Sequence, residues 1–123
     1  LDHHARDGFD VFPASESTMS RALPLGAAGC ISATVNMNPA GIHALYERWN
    51  GPDGEALQAR ADTIRRIFQA VPMIPAMKRV LSEATGQEDW SIVRPPLTRL
   101  NEQMAHEVGE QLRAAGFTLA GHP

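Results

Sequence analysis

The chain is predicted to be an α/β segment that passes into an all-helical one. Three observations carry that reading. Two short apolar runs, residues 9–12 and 30–35, have the length and the bounding residues of buried strands. A helical pattern follows each run, the order that gives parallel strands with crossover helices. From residue 54 onward the apolar residues recur at helical spacing only. The predicted division is therefore 1–53 for the strand-and-helix part and 54–123 for a helical extension.

Residues 1–8 are polar and read as the tail of a short helix ending at Gly8. Phe9, Val11 and Phe12 make a buried strand that Pro13 ends. Ser15, Ser17 or Thr18 caps a helix through Met19, Ala22 and Leu23, because their side-chain oxygens can accept from first-turn amides. Pro24 ends it, lacking an N–H and clashing with the preceding turn. After the Gly26 to Gly29 turn, Cys30 to Val35 is nearly continuous in apolar and small residues, as for a strand covered on both faces. Asn38-Pro39 is a strong helix start: asparagine caps and proline fits the first position. Ile42, Leu45, Tyr46 and Trp49 form its apolar face, and Asn50-Gly51-Pro52 ends it.

Leu57, Ala61, Ile64, Phe68 and Val71 step by four, three, four and three, a long amphipathic stripe. Met77, Val80, Leu81 and Ala84 form a shorter one that stops at Gly86. Leu97, Leu100, Met104, Val108, Leu112 and Ala115 form a third, stopping at Gly116. The Pro95-Pro96 pair before it fixes an extended approach, and the tail from Gly116 frays. A parallel pair of strands cannot stand alone, because it leaves open edges and an uncovered face. Either the two runs join a larger sheet or the chain is not an independent domain.

Composition excludes several classes. With 123 residues, 43% hydrophobic and 20% charged, the chain is an ordinary globular one of modest core. The formal net charge is -3 with both signs interspersed, so no polybasic stripe points to nucleic acid or to an anionic membrane. The longest apolar stretch is broken by Pro24, Gly26 and Gly29 and is too short to span a bilayer. The start of the chain lacks the basic-then-apolar order of a signal peptide. Cys30 is the sole cysteine, unable to form an intrachain disulfide, which fits a reducing cytoplasm.

Gly29-Cys30-Ile31-Ser32-Ala33-Thr34-Val35-Asn36, then Pro75-Ala76-Met77-Lys78 and Arg94-Pro95-Pro96-Leu97, resemble the dihydrodipicolinate synthase/N-acetylneuraminate lyase family in that order. The resemblance runs from Phe9 to Phe117. It implies the C-terminal part of a (β/α)8 TIM barrel, with residues 9–12 as strand seven, 30–35 as strand eight and 54–117 as a helical extension. It further implies a class I aldolase-type lyase or synthase that holds pyruvate or a related 2-oxo acid as a Schiff base on a lysine. That lysine, a relay tyrosine and a carboxylate-holding Gly-x-x-Gly segment are all expected ahead of Leu1, so this chain alone is expected to be inactive. The resemblance also implies a homo-oligomer, tetramer or dimer, with no cofactor and no metal.

Active sites of such barrels lie at the C-terminal ends of the strands. The resemblance thus assigns substrate-binding roles to Ala14, Ser15 and Glu16 on one loop and to Ile31 and Ser32 on the other. Glu16 keeps an acidic position of the family's motif, whereas Ala14 stands for its usual glycine and Ser15 for an acid. These departures, with Ser17 and Ala33 at sugar-binding positions, argue against a faithful dihydrodipicolinate synthase and against a sialic-acid lyase.

Other candidates carry plainer readings. Lys78, the sole lysine, lies on a helix beside Arg79 and reads as a solvated or ion-paired residue rather than a Schiff-base amine. Glu16 can act on substrate or cap the following helix. Asp2, His3 and His4 do not make a metal site, since adjacent histidines on a helix point apart. The serines have no paired histidine and acid at a recognisable spacing. The rival to the enzyme reading is a non-catalytic one: a truncated fragment, or a helical interaction module whose apolar stripes dock on a partner.

Overall fold

The computed structural model describes residues 7–119. The helix expected before Gly8 and the Asp2, His3 and His4 group lie outside the described residues. The chain forms two compact units, residues 1–62 and 63–123.

The described part of the first unit starts with an irregular segment from Phe9 to Pro13 and a bend at Ala14. Ser15 opens a 3-10 turn, Glu16–Thr18, as its hydroxyl accepts from the Ser17 N–H at 3.2 Å. A single α turn, α1 (Met19–Ala22), follows and runs into a second 3-10 turn, Leu23–Leu25, that includes Pro24. Gly26 ends it at φ 89°, a left-handed conformation that favours glycine. Residues 27–32 are irregular, with Ser32 extended, and Ala33–Asn36 closes into a 3-10 turn. Then come α2 (Pro39–Arg48) and α3 (Gly54–Gln69), of which α3 continues into the second unit. Gly54 permits this junction, since a Cβ there would lie 2.2 Å from the Trp49 carbonyl oxygen. The core joins Met19, Ile42, Leu45 and Ala61, with Leu23, Cys30, Val35, Trp49 and Leu57 packed on it.

The second unit holds the end of α3, then α4 (Met73–Thr85), a 3-10 turn at Glu88–Ser91 and α5 (Glu102–Ala114). Ile64, Ile67, Phe68, Ala76, Met77, Leu100, Ala105, Val108 and Leu112 are buried. Gly86 stops α4 in the left-handed region at φ 67°. Asn101 caps α5, its Oδ1 accepting from the Met104 N–H at 2.8 Å. Among the described residues no helix is long and apolar enough to cross a membrane.

The structure corrects the predicted fold class. Among the described residues there is no β-strand, so this chain is helical and is not a partial TIM barrel with parallel strands seven and eight. The two apolar runs do lie side by side. The Ala28 N–H donates to the Val11 carbonyl at 3.0 Å and the Ile31 N–H to the Pro13 carbonyl at 3.1 Å. From one bond to the next, the first run advances two residues and the second three. A parallel ladder needs evenly spaced bonds, which this slip prevents. The 3-10 turn at Ala33–Asn36 then cuts into the second run before Val35. Burial is corrected as well: Phe9 is 66% exposed and Ile31 70%, so neither run is covered on both faces.

Two smaller expectations also change. Asn38 is the N-cap of α2 but makes no side-chain cap bond; its amide lies over Gly41, where a Cβ would meet Asn38 Oδ1 at 2.4 Å. The approach to α5 is a turn rather than an extended lead, with a cis Pro95–Pro96 peptide and the Leu97 N–H donating to the Arg94 carbonyl at 3.0 Å. The last helix therefore starts at Glu102, behind its Asn101 cap, and not near Leu97.

Candidate functional site

Two loops of the first unit bring the candidate residues together. The 3-10 turn at Glu16–Thr18 turns the Glu16 side chain inward, leaving it 1% exposed. A buried carboxylate needs partners, since desolvation without them is costly. It finds one 18 residues along the chain: the Thr34 hydroxyl donates to Glu16 Oε1. Thr34 is buried in the 3-10 turn that replaces the end of the expected strand. Ser32 Oγ lies 3.1 Å from Thr34 Oγ1 and extends the polar chain to half-buried surface.

Gln58, on α3, holds the other side of Glu16. Its Nε2 donates to the Glu16 carbonyl oxygen at 3.1 Å and to Asp62 Oδ1 at 3.0 Å. Its Oε1 accepts from the Ser20 N–H at 3.0 Å. The carboxamide thus fixes the backbone on both sides of the turn that carries Glu16. Among the described residues no buried side-chain nitrogen or oxygen lacks a hydrogen-bond partner, as expected for a polar network that is stable in a low-dielectric interior.

Glu16 and Ser32 are therefore joined through Thr34. Ser15 belongs to the same turn: its Oγ lies 2.6 Å from Ser17 Oγ, and its carbonyl accepts from the Thr18 hydroxyl at 2.8 Å. Ala14 is exposed and offers only its backbone and a methyl group. Ile31 joins the loops through its N–H to the Pro13 carbonyl, while its side chain faces outward. Ser15 supplies the side-chain cap of this turn, and Glu16 is the acid of its first turn.

Thr34 and Gln58 were not foreseen as site residues. Thr34 carried a signal, as it stands two residues after Ser32 in the quoted motif, and alternate residues of an extended chain share a side. Gln58 carried none, being 42 residues from Glu16. A cavity of about 250 Å3 also opens in the first unit, lined in part by Cys30, His43 and Tyr46, but none of the five candidate residues lines it. Lys78, in the second unit, donates from its ammonium to the Ile92 carbonyl. Among the described residues no three histidine, cysteine or acidic side chains cluster as a metal centre.

Comparison with known proteins agrees with the resemblance. The profile of the Dihydrodipicolinate synthetase family matches residues 1–115. The chain is 35% identical over 117 residues to a 4-hydroxy-tetrahydrodipicolinate synthase of Thioalkalivibrio sulfidiphilus, covering 89% of this chain and 38% of that protein. It is 30% identical over 96 residues to an uncharacterized DapA-like lyase of Chloroflexus aurantiacus, covering 77% of this chain and 32% of the relative. It thus spans less than two-fifths of the length of these relatives. Its backbone follows part of the crystal structure of dihydrodipicolinate synthase from Agrobacterium tumefaciens, with a TM-score of 0.72 at 24% identity over 92% of this chain and 37% of that one. A monomeric dihydrodipicolinate synthase variant gives a TM-score of 0.79 at 19% identity, over 94% of this chain and 39% of that one. A profile that fits all but the last few residues, with motifs in the same order and a shared backbone path, places this chain in the dihydrodipicolinate synthetase family.

Proposed function

We propose that the chain is part of a lyase or synthase that joins pyruvate, or a related 2-oxo acid, to a lysine as a Schiff base and then makes or breaks a carbon–carbon bond. Membership of the family across residues 1–115 is the observation that carries this reading. The reacting lysine lies outside these 123 residues. Lys78 is the only lysine here, and it is engaged as a helix-borne ammonium donor to the Ile92 carbonyl. A Schiff-base amine must instead be presented unprotonated to a carbonyl carbon.

In this reading the chain supplies one wall of the substrate site. Ala14 and Ser15 come from the first loop and the Ile31 backbone and Ser32 from the second. Glu16 stands behind them as a buried carboxyl group, tied through Thr34 to Ser32. The whole protein works as a homo-oligomer in the cytoplasm, a reading supported by the exposed Ile74, Trp90 and Ile92 of the second unit and by the single cysteine.

Borohydride trapping with labelled pyruvate tests the assignment. The 123-residue chain alone is expected to give no adduct. The longest natural polypeptide that carries these residues is expected to give one, on a lysine other than Lys78. An adduct on Lys78 overturns the placement of the lysine, and no adduct on the longer polypeptide overturns the function.

A further inference from the structure

Two depressions lie side by side between α4 and α5 in the second unit. One, of about 400 Å3, is mostly apolar and is lined by Val80, Ala84, Leu112 and Phe117. The other, of about 240 Å3, is charged and includes Arg79, Glu102 and His106. Glu83, Gly109 and Arg113 line both, so the two form one groove that changes from apolar to charged along its length. Small-molecule sites are built this way, from an apolar pocket and a few placed polar groups.

Gly109 stands at the junction, in the middle of α5. Glycine inside a helix is destabilising relative to alanine. Among the described residues the fold does not ask for it. Its φ is not positive, and a Cβ built there meets only Arg113 Nη1, at an ordinary contact of 3.8 Å. The missing side chain instead leaves open space at the junction, as glycine does where a backbone and a ligand approach closely.

Glu83 and Arg113 bring opposite charges to that junction without pairing with each other. Arg79 Nε donates to Glu83 Oε1 at 2.7 Å, and among the described residues Glu83 Oε2 carries no bond. Arg113 Nη2 donates to Glu110, and Nη1 is the atom nearest the open space over Gly109. One carboxylate oxygen and one guanidinium nitrogen are thus left for a molecule that carries both a cation and an anion. A carboxylate alone meets Glu83 as a like charge, and an ammonium alone meets Arg113 in the same way.

We propose that this groove binds a small zwitterion with an apolar side chain, an apolar α-amino acid. Its carboxylate sits on Arg113, its ammonium on Glu83 and its side chain against Val80, Leu112 and Phe117, with Gly109 giving the room between them. None of the five loop residues takes part, so the site stands apart from the Schiff-base reading.

Isothermal titration of the longest natural polypeptide that carries these residues tests the site. L-Leucine carries both charges and the side chain, L-alanine lacks the long side chain, 4-methylpentanoate lacks the ammonium and 3-methylbutylamine lacks the carboxylate. Leucine is expected to bind, and each of the others at least about tenfold more weakly, the effect of one buried branched side chain or one charged hydrogen bond. Gly109→Ala is expected to raise Tm, since alanine favours the helix, while weakening leucine by a similar factor because its methyl group fills the junction. Arg113→Gln is expected to weaken leucine and to leave 3-methylbutylamine unchanged.

A native protein that shows no leucine binding up to about 10 mM overturns the inference. So does one that binds alanine or either single-charge analogue as tightly as leucine. Leucine binding that Gly109→Ala or Arg113→Gln leaves at the native Kd places the amino acid elsewhere and overturns it too. Where the glycine variant does not fold, the native series and the arginine variant decide. A failed borohydride trap bears on none of these outcomes.

Discussion

In the first unit a buried carboxylate, a hydroxyl and a carboxamide bind segments 18 and 42 residues apart. In the second, the charged bonds lie outside and the interior is apolar. There Arg79 holds Glu102 in two parallel bonds, at 2.8 and 2.9 Å, and Glu83 in a third at 2.7 Å, while Phe68 is 0% exposed. The difference shows what each unit requires. Long helices satisfy their own backbones and need only a covered stripe. Irregular loops must be fixed by side chains, and a fixed loop can carry chemistry.

Substitutions can break this comparison, and the largest effect is expected in the apolar interior. Phe68→Ala removes a fully buried aromatic and leaves a cavity, with an expected loss of about 3–5 kcal/mol in denaturant unfolding. A loss under about 1 kcal/mol would mean that the second unit does not depend on that core.

The next effect sharpens the contrast between buried and exposed polar bonds. Thr34→Val keeps the shape but leaves the Glu16 carboxylate short of a donor, at an expected cost of about 1–3 kcal/mol. Arg79→Gln removes exposed ion pairs and is expected to cost no more than about 1 kcal/mol. If the arginine change proves the more damaging, the assignment of polar fastening to the first unit and apolar fastening to the second is wrong.

Much of the second unit was legible in the sequence. Ile64 and Phe68 are both buried, as their spacing requires, because a helix makes its hydrogen bonds locally and shows its inner face as a period. The start of α5 was placed too early because the Leu97 to Met104 spacing resembles a stripe. The Asn101 cap outweighs it, and Met104 remains on the surface while Ala105 is buried. Residues 9–12 and 30–35 show the opposite case. A strand exists only with a partner in register, and an apolar run reads the same with or without one. Neither the slipped bonds at Val11 and Pro13 nor the outward Ile31 leaves a local mark. Glu16, Ser15 and Ser32 were singled out through the resemblance, and the structure places Glu16 and Ser32 in one polar network through Thr34. Thr34 and Gln58 were not singled out, because their bonds to Glu16 join positions far apart in sequence.

The smallest expected effect is one of acidity. The hydrogen bond from Arg79 holds the Glu102 carboxyl below the usual carboxylate range, and Arg113 does the same for Glu110. Groups lowered in the folded state stabilise it above their ordinary value, and that contribution is lost as pH falls through the folded one. The gap in Tm between the native chain and Arg79→Gln is therefore expected to be present at neutral pH. It should narrow as the pH falls below the usual carboxylate range and also narrow with added salt. A gap that widens in acid would contradict the sign of this coupling.

Gln58 has a consequence for which amino acids this position tolerates. Its amide gives two protons, to a carbonyl and to a carboxylate, and takes one from a backbone N–H. Glutamate has no proton to give when ionised, leucine and methionine lack the donors, lysine cannot accept, and asparagine is one methylene short. Among the twenty encoded side chains glutamine alone meets all three demands at this reach. Hydrolysis of its amide with age would place a second negative charge against Asp62 and loosen the turn from inside.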